Sequence, residues 1–290
     1  MKTFKGKAIY NPAGKAAEYA EWACNFYTGC SNDCHYYYCK RGVLAHTWSN
    51  TPKLKKCFKD ESHALEVFEN ELRANLPELQ KHGLFFSFTT DPMLCDNKDI
   101  ESYKGRYDFS YFGGTINATW VATTLCIDNS IPVKILTKST NWVDRLLSYP
   151  FELRGKELIA FGFTLTGHDE LEPNASTNAE RIEAMRKLHD AGFKTWASIE
   201  PVIDLKSSAM MIEQTAGFCD LYKIGLMSGK KYDKKKLVEF MEWCNTAYSV
   251  TNGFYMKKIY FKDSLLAQAG INREKLPENF VGRDYNMFND

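Results

Sequence analysis

Four cysteines fall within sixteen residues of this chain: Cys24, Cys30, Cys34 and Cys39, the last three in the run FYTGCSNDCHYYYC. Thiolates converging from one tight loop, a few residues apart, are what a cuboidal [4Fe–4S] cluster requires. Cys30, Cys34 and Cys39 would hold three irons and leave the fourth open to an external ligand. A structural zinc site closes with four ligands instead. His35 or Cys24 would have to complete such a set, and His35, adjacent to Cys34, is badly placed to reach the same ion. A loop without metal is the third reading of the same residues. The other five cysteines, Cys57, Cys95, Cys126, Cys219 and Cys244, are scattered and read as small core hydrophobes.

A loop of this kind needs a frame. Extended apolar runs alternate with helical patterns along the chain, and no repeat or low-complexity segment interrupts them. Strands are expected at Trp22–Tyr27, Leu84–Thr90, Val133–Thr137, Leu158–Leu165, Thr195–Ile199 and Leu221–Leu226. Helices are expected at Glu61–His82, with Pro77 kinking or dividing it, and at Thr115–Asp128, Asn141–Tyr149, Lys206–Ala216 and Lys234–Ala247. The clearest helix follows a capping box at Thr177 and Glu180, carries Ile182, Met185 and Leu188 on one face, and stops at Gly192. Six βα units in a row argue for a parallel sheet covered by helices.

Polar residues recur where those strands end: the cysteine loop, Thr90–Asp91, Thr137–Lys138, Thr164–Thr166 and Glu200. Strand ends need polar loops in any case. In parallel α/β folds, however, the C-terminal strand ends also form the active face, so the chemistry is expected to collect at one mouth. Residues 1–21 read as an N-terminal extension, 22–253 as the body and 254–290 as a tail outside the alternation. The connection Asp96–Gly114, rich in tyrosine, charge and glycine, is long for such a unit and is expected to act as a lid over the mouth.

Composition narrows the class. Apolar residues make up 44% and charged residues 25%, enough for a buried core, and the formal net charge is +1. That balance does not indicate nucleic acid or an anionic membrane as a partner. No apolar run approaches the roughly 20 residues of a membrane helix. The start, MKTFKGKAIYNPAGK, has no apolar h-region, so a reducing cytoplasmic location is expected.

The segments FYTGCSNDCHYYYC, FSFTTDPM, VKILTKS, FTLTGHDELEPNASTNAERIEAMRKLHDAGF and SIEPVID resemble, in order and position, the spore-photoproduct-lyase-like group of the radical S-adenosylmethionine superfamily, over roughly Ala23–Ser264. The resemblance implies an α/β fold of the partial (β/α)6 barrel type, a [4Fe–4S] cluster and bound S-adenosylmethionine. It implies Lys138 for the cosubstrate's carboxylate, Thr90 and Asp91 for its ammonium, and Thr164, Thr166, Ser198 and Glu200 around its ribose. Tyr38 corresponds to the aromatic near adenine. The reaction implied is reductive cleavage to methionine and a 5′-deoxyadenosyl radical, which removes a hydrogen atom from a substrate. A flavodoxin or ferredoxin would donate the electron.

Two departures matter. The group's usual spacing is C-x3-C-x2-C, whereas Tyr37 stands where the third cysteine would fall and Cys39 gives C-x3-C-x4-C. The group's strand-two motif, C-T-S-D, carries a hydrogen-donor cysteine, whereas this chain reads Phe88-Thr-Thr-Asp91, with Cys95 seven residues on. Photoproduct repair is therefore not expected, and the substrate is not named by the sequence. A non-enzymatic iron–sulfur electron carrier and a metal-stabilised nucleic-acid-binding module stay open beside the radical enzyme.

Overall fold

The computed structural model describes residues 3–37, 40, 45, 48–86, 88–95, 114–148, 155–247 and 257–289. The strands β1 (Ile9–Tyr10) and β2 (Ala23–Cys24) pair antiparallel. The strands β3 (Tyr27–Thr28) and β4 (Lys53–Leu54) form a separate ribbon on either side of the cysteine loop. Alternation then sets in: α1 (Glu61–Ala74), α2 (Leu76–His82), β5 (Leu84–Phe86), α3 (Ile116–Asp128), β6 (Val133–Thr137), α4 (Val143–Leu147), β7 (Ile159–Thr164), α5 (Asn178–Asp190), β8 (Lys194–Val202), α6 (Leu205–Thr215), β9 (Leu221–Leu226), α7 (Lys234–Ala247), β10 (Lys258–Phe261) and α8 (Asp263–Ala269).

The main sheet has the order β1-β2-β5-β6-β7-β8-β9-β10, and every pair after the first is parallel. It is curled. Phe85 on β5 and Trp196 on β8 bring their ring centroids to 6.2 Å, although a flat sheet would hold those strands about 14 Å apart. The described strands do not close the ring, since β1 and β10 remain its edges. This is the α/β partial barrel expected from the sequence, with one difference. The segment Lys258–Phe261, taken for tail, is a further parallel strand against β9.

Alternation along the strands makes two cores. Outward residues such as Val133, Ile135, Phe161, Phe163 and Ile224 pack under the helices. Inward residues, among them Phe85, Ala160, Trp196 and Tyr260, pack with Tyr19, Val281 and Met287 inside the barrel. The Trp196 indole lies on the neighbouring strand β7, where a Cβ at position 162 would sit 2.1 Å from it, so only glycine fits there. Residues on both sides of the expected body thus fill its interior. A 3-10 turn, Gly14–Glu18, delivers Tyr19 into the barrel.

Local expectations were met or adjusted for identifiable reasons. The helix expected at Glu61–His82 breaks at Asn75, and Pro77 stands at the start of α2, where its missing N–H costs nothing. The first strand is interrupted at Asn25, whose side-chain oxygen accepts from the Phe88 N–H (2.8 Å) and turns the chain out of the main sheet. The capping box at Thr177 and Glu180 is formed, and Gly192 has φ 88. Cys126, Cys219 and Cys244 are buried, but Cys57 is exposed, not core, and Cys95 is half-buried. Residues 96–113 of the proposed lid, with Tyr38 and Cys39, lie outside the described residues. No described helix is long and apolar enough to cross a membrane.

Candidate functional site at the mouth of the barrel

A cavity of about 700 Å³ opens at the C-terminal strand ends, lined by Cys30, Cys34, Thr90, Asp91, Lys138, Thr164, Ser198 and Glu200 among others. The turn after β5 builds one side of it. Three consecutive residues there grip the cysteine loop. The Thr89 hydroxyl donates to the Tyr27 carbonyl (2.8 Å), the Thr90 hydroxyl donates to the Gly29 carbonyl (2.6 Å), and Asp91 accepts from Asn32 Nδ2 (2.8 Å). Asp91 also accepts from the Thr137 hydroxyl (2.7 Å) and from the N–H groups of Met93 (3.0 Å) and Lys138 (2.7 Å). A carboxylate offers about four lone-pair sites, so protein donors already fill those of Asp91.

The loop after β7 holds the cysteine segment from the other side. The Leu171 carbonyl accepts from the His35 N–H (2.9 Å), and Asn174 Nδ2 donates to the Ser31 carbonyl (3.0 Å). Tyr36 donates its hydroxyl to Glu172, which is buried in an ion pair with Arg181. Gly29, at φ 83, lets the loop enter close to the backbone of Ser49 and Thr51, where a Cβ would collide with both carbonyls.

Between these two grips Cys30 and Cys34 are buried and face the same cavity. Burial, aided by the Asp91 charge, pushes the Cys30 thiol up to about 12, so a metal would have to displace its proton. The Lys138 ammonium lies 5.7 Å from the centre of the Tyr36 ring. Burial alone would lower its pKa, but Cys34 and Glu172 outweigh that and raise it. Among the described residues no three His, Cys, Asp or Glu side chains converge as a full ligand set. Cys30 and Cys34 are two of the three thiols expected from the sequence as cluster ligands; the third, Cys39, lies outside the described residues. Tyr37 lines the same cavity, donating its hydroxyl to the Phe88 carbonyl (2.9 Å), with its ring edge-on to Trp48 at 4.7 Å.

The opposite wall is a hydrogen-bonded set. Glu200 accepts from Lys262 Nζ (2.8 Å) and from the Tyr19 hydroxyl (2.5 Å), which is also 2.7 Å from the Ser198 hydroxyl. A Cβ at Gly225 would lie 2.6 Å from Glu200 Cδ and 2.7 Å from Lys262 Cδ, so glycine makes the room for this pair.

Comparison with known proteins bears on the frame. The sequence matches no protein-family model and no curated protein. Among solved structures, spore photoproduct lyase complexed with dinucleoside spore photoproduct aligns with a TM-score of 0.50 and 17% identity, over 74% of this chain and 58% of that one. The chain has the fold of spore photoproduct lyase. It spans somewhat over half of that protein's length. Two structures of Streptococcus suis SuiB, one bound to S-adenosylmethionine, align at TM-scores of 0.38 and 0.37 and identities of 12% and 14%. They cover 60% and 58% of this chain and 41% and 39% of their own.

Within that fold the expected site residues divide. Cys30, Cys34, Thr90, Asp91, Lys138, Thr164, Ser198 and Glu200 come together around one cavity. Thr166 does not reach it. Its hydroxyl is fully buried against Glu172 (3.3 Å) and the His168 N–H (3.2 Å). Cys24, weighed as a fourth ligand, faces the outer helical core. Sequence reasoning missed Tyr19, Asn32, Tyr36, Glu172 and Lys262. Only Asn32 and Tyr36, inside the cysteine motif, carried a local signal.

Proposed function

We propose that this chain binds a [4Fe–4S] cluster through Cys30, Cys34 and Cys39, binds S-adenosylmethionine beside it, and generates a carbon radical that takes a hydrogen atom from a substrate. The observation that carries this reading is the meeting of two buried thiols with the Lys138 ammonium at the C-terminal mouth of a parallel partial barrel. When bound, the cluster supplies the single electron that cleaves the sulfonium.

The chain's own residues bind, orient and exclude water. Lys138 suits the carboxylate of the methionine moiety through a charge-assisted hydrogen bond. Thr164, Ser198 and Glu200 suit the ribose hydroxyls. Thr90 serves the site by holding the cysteine loop through its hydroxyl, and Asp91 by tying that loop, through Asn32, to the turn after β5 and the end of β6. Phe88, stacked on Phe85 at 4.6 Å, keeps one wall apolar. Position 88 also argues against a photoproduct-repair role, since phenylalanine is no hydrogen donor of the thiol kind. The electron donor is a flavodoxin or ferredoxin, and the compartment is the reducing cytoplasm.

Anaerobic reconstitution with iron and sulfide tests the reading. Reductive formation of 5′-deoxyadenosine is the expected result. A redox-active cluster without that product would select an electron carrier, and salt-dependent nucleic-acid binding without a cluster would select a binding module.

A further inference from the structure

The side chains of Glu172 and Arg181 are both 0% exposed. Removing two charges from water is costly, and a packed apolar pair would often serve stability as well. The contacts of this pair supply a reason for it. The Arg181 guanidinium donates to the Thr164 carbonyl at the end of β7 (2.6 Å), to the Ser176 carbonyl before α5 (2.7 Å), and to Glu172. The other Glu172 oxygen accepts the hydroxyl of Tyr36, two residues beyond Cys34. The ring of Tyr36 lies against the Lys138 ammonium. One chain of contacts therefore runs from a strand end, through a rigid planar fork, to the cysteine loop and to the cation beside it. A tyrosine has two side-chain torsions, so a hydrogen bond at its tip fixes the whole ring. A fixed ring in turn offers the lysine one preferred seat.

We propose that Glu172 and Arg181 are a positioning pair for the cofactor site: acting through Tyr36, they hold the cysteine loop at Cys34 and aim the Lys138 ammonium. What Lys138 is aimed at rests on the S-adenosylmethionine reading above; the clasp itself does not.

The test uses the full chain with Tyr36→Phe and Glu172→Gln. Tyr36→Phe keeps the ring and removes only its hydrogen bond, so it serves if Glu172→Gln fails to fold. In the metal-free protein, hydrogen exchange over Cys30–Tyr37 is expected to lose about tenfold in protection, read at the His35 amide, while the strand β9 keeps its own. In reconstituted protein, Tyr36→Phe is expected to retain its iron and to weaken S-adenosylmethionine binding about three- to tenfold. In a Lys138→Ala background the same change should weaken binding less than it does in the parent, because part of its effect acts through that lysine. Unchanged protection of the loop in a folded Tyr36→Phe protein, or full additivity with Lys138→Ala, would overturn the proposal. A parent protein that binds no S-adenosylmethionine would instead remove the functional reading, and the exchange measurement would still decide whether the clasp exists.

Discussion

Asp91→Asn is the sharpest probe of how the site is held, since it changes one atom and one charge. The carboxylate accepts from four donors, two on each oxygen: Thr137 and the Met93 N–H on one, Asn32 and the Lys138 N–H on the other. In the variant an NH2 group must face one of those pairs. The Thr137 hydroxyl or the Asn32 amide can turn to accept from it, but a backbone N–H cannot, so one buried N–H is orphaned. That costs about 1–3 kcal/mol, and the three remaining bonds each lose about 1 kcal/mol when the acceptor becomes neutral. The expected loss is about 4–6 kcal/mol, a large part of the stability of an ordinary domain. Urea unfolding of the metal-free protein measures it, with the slope of the transition unchanged. Asp33→Asn is the control. Asp33 pairs with Lys40 at 2.6 Å in a partly exposed ion pair, and its loss should cost no more than about 1 kcal/mol. A folded Asp91→Asn protein within about 1 kcal/mol of the parent would refute the argument that this carboxylate latches the loop.

Three other outcomes are expected. Cys30→Ala, Cys34→Ala and Cys39→Ala should each abolish the brown chromophore or the cleavage activity after reconstitution, and Tyr37→Cys added to Cys39→Ala should restore it by recreating the closer spacing; iron and sulfide analysis checks both. Lys138→Ala should leave the cluster intact and weaken S-adenosylmethionine binding about ten- to hundredfold, measured by titration calorimetry. The pair of His168 and Asp204, 2.6 Å apart, should make stability depend on pH at both ends. Burial opposes the charge on Asp204, but hydrogen bonds from Ser207 and His168 hold it down at about 2, so its contribution is present above pH 4 and lost as pH falls toward 2. Hydrogen bonds to Glu170 and Asp204 raise His168 against the opposing effect of burial, so its contribution is present below about pH 6.5 and lost as pH rises through its folded value. The urea midpoint of Asp204→Asn should therefore lie furthest below the parent's between those limits.

The frame was legible where local chemistry and fold agreed. Apolar runs such as Val133–Thr137 and Leu221–Leu226 became β6 and β9 with the same bounds, and the box at Thr177 and Glu180 started α5. The strand β10 was missed because the barrel interior it faces is polar. Its inward positions are Lys258, Tyr260 and then Lys262, so the run does not read as a buried strand. The site divided in the same way. Side chains at strand ends could be listed in order, and most of them meet at the cavity. Whether a hydroxyl or carboxylate is free to meet a ligand or is spent on protein donors and acceptors is a three-dimensional question: the Thr90 hydroxyl goes to the cysteine loop, Asp91 is shared among that loop, its own turn and the end of β6, and Thr166 is held within its own loop. Glu172 and Arg181, nine residues apart, gave no sign that they would meet Tyr36.

The polar interior also explains the place of the N-terminal segment. Lys134, Lys223 and Lys262 all point into the barrel. Burial brings Lys134 down to about 8, and burial together with the charges of Lys134 and Lys262 holds Lys223 well below the ordinary lysine value. Such groups stay in place only when their N–H bonds are met. Lys223 donates to the carbonyls of Glu18 and Tyr19 (2.9 Å each), Lys134 reaches the Tyr19 carbonyl (3.4 Å), and Lys262 lies over the Tyr19 ring at 4.4 Å. The Glu18 carboxylate, in turn, accepts from the Tyr260 hydroxyl (3.1 Å) and the Asp263 N–H (2.7 Å), which joins the segment to the last strand and helix. Residues 14–19 are therefore not an appendage to a finished barrel. They carry the carbonyls to which Lys223 and Lys134 donate and the Tyr19 ring beneath Lys262, and the same turn presents the Tyr19 hydroxyl to Ser198 and Glu200 at the cavity wall.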